Sequence, residues 1–112
     1  ALGPELPAFF TPDDALAEEL VRHSAAQTDP LYRLPLWENY RSLLDSKVAD
    51  LSNDPESPLG GAITAALFLR EFTNSHPSWL HIDMMAWNTR ALPGRPIGGE
   101  AQGVRALFAL LE

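Results

Sequence analysis

The sequence predicts an α/β chain that is mostly helical, with about four helices and one main strand. Three observations predict it. Ten prolines and seven glycines divide the 112 residues into short blocks, and most blocks repeat apolar residues three and four apart, the helical period. One block, Trp79 to Trp87, alternates instead, as a strand does. The block Ala62 to Leu69 is apolar on nearly every side, which suits a helix held between layers rather than one lying on a surface.

The first helix is expected from Pro12 to about Gln27. Thr11 can cap its free amides, Pro12 fits the first helical position, and Asp13 and Asp14 face the positive end of the helix dipole. Leu16, Ala17, Leu20, Val21 and Ser24 form its inner stripe, Glu18, Glu19 and Arg22 its wet side, and Asp29-Pro30 ends it. Pro35 opens a second helix, Leu36 to about Leu44, followed by a short extended piece from Lys47 to Leu51 and a Pro-rich surface loop over 52–58. Gly60-Gly61 precede the third helix, Ala62 to Phe72, closed by Asn74-Ser75-His76-Pro77. In the strand, Leu80, Ile82, Met84 and Ala86 make one apolar face, while Trp79, His81, Asp83, Met85 and Trp87 make a mixed one. A Gly/Pro loop leads to a last helix from about Glu100 to Leu111, with Val104, Leu107, Phe108 and Leu111 as its core stripe. A lone strand cannot satisfy its own backbone, so its sheet partners are expected from outside the chain, which reads as a piece of something longer.

Composition narrows the function classes. With 15 acidic and 8 basic side chains the net charge is −7, and Lys47 is the only lysine, so a phosphate backbone would be repelled and no nucleic-acid partner is expected. The absence of cysteine excludes a disulfide framework, a thiolate zinc site and a Cys nucleophile, and favours a cytoplasmic setting. The longest apolar run is too short for a bilayer span, so no membrane partner is expected either.

Taken alone, the residues complete no active site. His81-x-Asp83 puts an imidazole and a carboxylate on one strand face about 7 Å apart, and with His76 they suggest a metal site, against the simpler reading of two polar groups satisfied within a sheet. Gly60-Gly61 at a helix start offers amides to an anion, against the simpler reading of close packing or a positive φ. No serine stands in a nucleophile elbow, and the spacing of Gly94, Gly98, Gly99 and Gly103 fits neither a P-loop nor a dinucleotide fingerprint.

The blocks Leu34-Pro35-Leu36-Trp37-Glu38-Asn39-Tyr40, Ser46 to Asn53, Gly61 to Leu69 with Glu71-Phe72, and Trp79 to Asp83 resemble, in order and interval, the C-terminal part of the leucyl (cytosol) aminopeptidases, peptidase family M17. Ala1-Leu2-Gly3 resembles the end of that family's T-G-A-x-x-x-A-L-G strand, and Gly94-Arg95-Pro96 with Gly103-Val104-Arg105 its closing segment. The resemblance implies a fragment, residues 1–112, of a three-layer α/β/α catalytic domain from a cytoplasmic, hexameric enzyme. Such enzymes remove N-terminal residues from peptides with two divalent cations, Mn or Zn, which polarise the scissile carbonyl and supply hydroxide. The family's metal ligands lie in segments that precede Ala1, including an N-T-D-A-E-G-R motif, so no catalytic or metal-binding residue is carried over. The chain alone is expected to bind no cation and to be inactive. What carries over is part of the pocket for the substrate's first side chain, which by register falls on Asp54, Met85 and Asn88. Asp54 and Asn88 stand where the family is usually apolar; an Asp in that pocket would favour a polar or basic first residue, against the simpler reading of a displaced loop, and for Met85 the simpler reading is ordinary strand packing. Two other readings stay open: a stand-alone structural or oligomerisation module derived from that domain, and a different hydrolase using His81 and Asp83 as metal ligands.

Overall fold

The computed structural model describes residues 1–44 and 59–112. Three strands form the main sheet: β1 (Ala8–Phe10), β2 (Tyr32–Arg33) and β3 (His81–Asp83), in the order β2-β1-β3. β1 runs parallel to β2 through a crossover containing helix α1 (Asp14–Ala26), and antiparallel to β3, with Phe9 opposite Ile82 and Phe10 opposite His81. A 3-10 helix (Glu38–Leu44) and helix α2 (Gly61–Arg70) follow β2. After β3 come a two-stranded hairpin of β4 (Trp87–Asn88) and β5 (Gly98–Gly99) and then helix α3 (Val104–Leu111).

The pleat of β1 separates two cores. Phe9, fully buried, faces Ala17 and Leu20 of α1, Leu31, and Ala106 of α3, with Leu80 and Ile82 packed alongside. Ala8 and Phe10 face the other way, onto Ala66 of α2 with Ala62, Ile63, Leu34 and Leu36. Helices thus cover both sides of the sheet, the α/β/α layering that the resemblance implied.

Several sequence-based expectations need correction. The strand does not lack partners: β1 and β2, short runs in Pro-rich context with too few residues to show an alternation, pair within the chain. The strand expected from Trp79 to Trp87 pairs in the main sheet only over His81–Asp83: Asp83 stands opposite Ala8, the first residue of β1, and Pro7 before it has no N–H to extend the ladder; further on, Ala86 takes a left-handed φ of 54° and turns the chain into β4. The second helix is 3-10 rather than α. α1 starts at Asp14, since Asp13 caps it by accepting from the Leu16 amide at 3.0 Å, while the Thr11 hydroxyl accepts from the Asp13 amide at 3.1 Å. Val21 lies on the flank of the buried Ala17-Leu20-Ser24 face and is exposed.

α3 starts at Val104 rather than Glu100, and its core side is not the expected one. Asp29, at the end of the α1 connection, accepts from the Gly103 amide at 3.1 Å and the Ala106 amide at 3.0 Å, which caps the helix and sets its rotation. Ala106, Leu107 and Leu110 then face the core, whereas Val104, Phe108 and Leu111 are exposed. The helix is apolar nearly all round, so its sequence alone does not say which stripe turns inward. The buried side of α2 likewise comprises Thr64, Ala66 and Leu67, and Leu69 and Phe72 are exposed among the described residues. At the α2 start, Gly60 has φ 67°, and a Cβ there would stand 3.2 Å from the Tyr40 ring, which supports packing and backbone conformation over anion binding as the reason for glycine.

Candidate functional site

The surroundings of Met85 are built by two stretches of chain, the N-terminal segment over 1–8 and residues 83–85. β3 delivers Asp83, the chain continues through Met84 and Met85, and the left-handed Ala86 diverts it into the hairpin. Asp83, Met84 and Met85 line a cavity of about 290 Å³ together with Leu2, Pro4 and Leu6 of the N-terminal segment. Its walls mix apolar side chains with backbone polar atoms and one carboxylate, Asp83, which disfavours an anion. Met85 is more than half exposed, so its flexible thioether is available for contact.

Asn88 is placed differently. It is buried, and its amide Nδ2 donates to the Pro96 carbonyl at 3.1 Å and to Glu100 Oε2 at 2.8 Å, which holds the hairpin together from inside. Met85 is brought to the cavity; the Asn88 amide is committed three residues on. Asp54 lies outside the described residues.

Sequence reasoning missed two residues that hold this region. The Glu100 amide donates to the Ala86 carbonyl at 3.0 Å. Gln102, only 6% exposed, accepts from the Ala86 amide at 3.0 Å through Oε1 and donates from Nε2 to the Pro4 carbonyl at 2.8 Å. The available signal was a polar pair set among glycines just before an apolar helix, a backbone flexible enough to fold back on the chain and bring both side chains inward. A second cavity of about 600 Å³ opens at the ends of β1 and β2, beside Arg33 and Arg70. Both cations are paired, Arg33 with Asp14 at 2.8 Å and Arg70 with Glu38 at 2.7 Å, so neither offers an unbalanced charge to a ligand.

The proposed metal-binding trio does not assemble. Among the described residues no group of three or more His, Asp or Glu side chains is placed to hold a cation. His81 stacks on Phe10 with centroids 5.9 Å apart and rings 19° from parallel, and burial pushes its pKa down while Asp83 pulls it back up. His76 Nδ1 accepts from the Ser78 amide at 3.0 Å. His81 and Asp83 are therefore sheet residues, and a dinuclear centre does not fit the side chains described. No helix among the described residues is long and apolar enough to cross a membrane.

The family model described as "Cytosol aminopeptidase family, catalytic domain" matches residues 1–108. The "Probable cytosol aminopeptidase" of Syntrophotalea carbinolica is 41% identical over 114 residues, covering 100% of this chain and 22% of the relative. The "Neutral leucine aminopeptidase, chloroplastic" of Solanum lycopersicum is 48% identical over 84 residues, 75% of this chain and 15% of the relative. Among solved structures, the cytosol aminopeptidase from Coxiella burnetii superposes with a TM-score of 0.93 at 53% identity, covering 99% of this chain and 24% of that one. The bottromycin maturation enzyme BotP in complex with Mn superposes at 0.89 with 38% identity, covering 99% and 25%. The chain spans about a fifth of the length of the curated relatives that it matches from end to end.

Proposed function

The chain belongs to the cytosol aminopeptidase family, and on that premise we propose that it is the C-terminal segment of a catalytic domain that removes N-terminal residues from peptides. The observation that carries the proposal is a likeness that runs through almost the whole chain in sequence and in space, 53% identity at a TM-score of 0.93. In this reading the segment contributes scaffold and one wall of the pocket for the first side chain. Met85 lines that wall, Asn88 stiffens the hairpin behind it, and Asp54, assigned to the same pocket by its register with the family, lies outside the described residues. Two divalent cations, Mn or Zn, would be held by other parts of the enzyme and would polarise the scissile carbonyl; the residues described here take no part in holding them. The whole enzyme would act as a homo-oligomer, a hexamer as in its family, in the cytoplasm.

The test has two arms. The chain alone, assayed on leucyl-p-nitroanilide with and without Mn²⁺ or Zn²⁺, is expected to show no turnover; metal-dependent turnover by the pure chain would overturn the assignment of the metal centre to other segments. In the full-length enzyme, Met85→Ala is expected to enlarge the pocket and shift kcat/KM toward bulkier first residues by about tenfold. An unchanged preference would remove Met85 from the pocket. A second reading, a self-associating module, is favoured by one observation, the exposed stripe of Val104, Phe108 and Leu111 on α3. A concentration-dependent oligomer of the isolated chain in sedimentation, lost in Phe108→Glu, would support it.

A further inference from the structure

We infer that Gln102 is a positioning residue for the first-side-chain pocket: by tying the left-handed Ala86 to Pro4, it fixes where Met85 stands and so which first residues the enzyme accepts. The inference rests on the pocket reading above. Ala86 has a φ of 54°, a conformation that a residue with a Cβ enters only when its surroundings hold it there. Both of its backbone polar groups are held: its amide donates to Gln102 Oε1 at 3.0 Å, and its carbonyl accepts from the Glu100 amide at 3.0 Å. The same Gln102 amide group donates to the Pro4 carbonyl at 2.8 Å. Pro4 and Met85 both line the cavity, so one side chain ties one lining residue, Pro4, to the immediate chain neighbour of another, Met85.

The residue type matters. Bridging an amide N–H and a carbonyl oxygen requires an acceptor and a donor on one planar group, which Gln has and which Glu, Met and Leu do not. Gln102 is 6% exposed, so water is poorly placed to substitute for either bond. Released from the bridge, Ala86 would relax toward negative φ, and Met85, next to it in the chain, would move with it.

The experiment uses the full-length metal-loaded aminopeptidase that carries this segment, with alanyl-, leucyl- and phenylalanyl-p-nitroanilide as substrates. Gln102→Leu removes both bonds. It is expected to change the ratio of kcat/KM for the bulky substrates over the alanyl one by about tenfold, chiefly through KM. Gln102→Met, close to Gln in length and volume and lacking both hydrogen-bonding groups, is the second variant should Gln102→Leu fail to fold, and is expected to shift the ratio in the same direction. A fall in activity that is uniform over the three substrates would reveal a purely structural role and overturn the inference. If Met85→Ala moves the ratio while both Gln102 variants leave it within about twofold, the positioning role fails and the pocket stands. If Met85→Ala also leaves it unmoved, the pocket reading fails and takes this inference with it.

Discussion

Replacing Asp29 tests how α3 is held against α1. The carboxylate is 2% exposed and accepts one amide with each oxygen, Gly103 at 3.1 Å and Ala106 at 3.0 Å, at the positive end of the helix. Arg105 stands 3.8 Å away and is half exposed, so its attraction adds little. Asp29→Ala strands two buried N–H groups, each costing about 1–3 kcal/mol, and removes a charge that favours the dipole. Allowing for a water that enters the vacated space, the expected loss is about 3 kcal/mol. Asp29→Asn keeps an acceptor for one amide but turns an NH2 toward the other, for an expected loss of about 2 kcal/mol. Urea unfolding followed by the fluorescence of the three tryptophans gives the free energies, and hydrogen exchange at Ala106 and Leu107 reports the helix itself. A loss below about 0.5 kcal/mol for Asp29→Ala, with α3 exchange unchanged, would refute the view that this carboxylate caps and orients the helix.

Two further outcomes follow from geometry and titration. Gly60→Ala places a Cβ at a left-handed position 3.2 Å from the Tyr40 ring, so it should cost about 1–2 kcal/mol; an unchanged urea midpoint would contradict the positive φ. Burial holds the His81 pKa below the usual value near 6.5, so between those two values the unfolded chain binds more protons than the folded one. Stability should therefore fall as pH drops below about 6.5 and level off beneath the folded pKa, and His81→Phe, which keeps the stack on Phe10, should flatten that part of the profile. An identical pH dependence in the variant would assign the slope to other groups.

Much of the layer arrangement was legible because it rests on local rules. The Asp13 cap region, the α1 face of Ala17, Leu20 and Ser24, and the apolar face of Leu80 and Ile82 all follow from period and capping chemistry. What was not legible depends on contacts distant in sequence. β1 is three residues long and shows its two faces only when cores exist on both sides. The inward stripe of α3 is selected by Asp29, 77 positions away from Ala106, and no pattern within α3 reveals that choice. β3 stops where its partner β1 begins, at Ala8 opposite Asp83, and Gln102 holds the turn at Ala86 beyond it, so the alternation in the sequence runs on past the point where the strand stops. At the candidate site, the family blocks led to Met85, which lines the cavity, to Asn88, whose amide is spent on the hairpin, and to Asp54, outside the described residues.

The hydrogen bond from Gln102 to Pro4 spans 98 positions of the chain. On a ribosome Pro4 is made long before Gln102, and every helix but the last also precedes it. The sheet and its flanking helices can thus begin to assemble during synthesis while the wall around Met85 still lacks the amide that ties it. A stalled or truncated product ending before Gln102 would retain most of the layers and lack the tie. Such a product would also lack α3, so Phe9, Leu31 and Ile82 would lose the cover of Ala106, Leu107 and Leu110, and the deletion that leaves the cavity wall untied would expose apolar surface that quality control can sense.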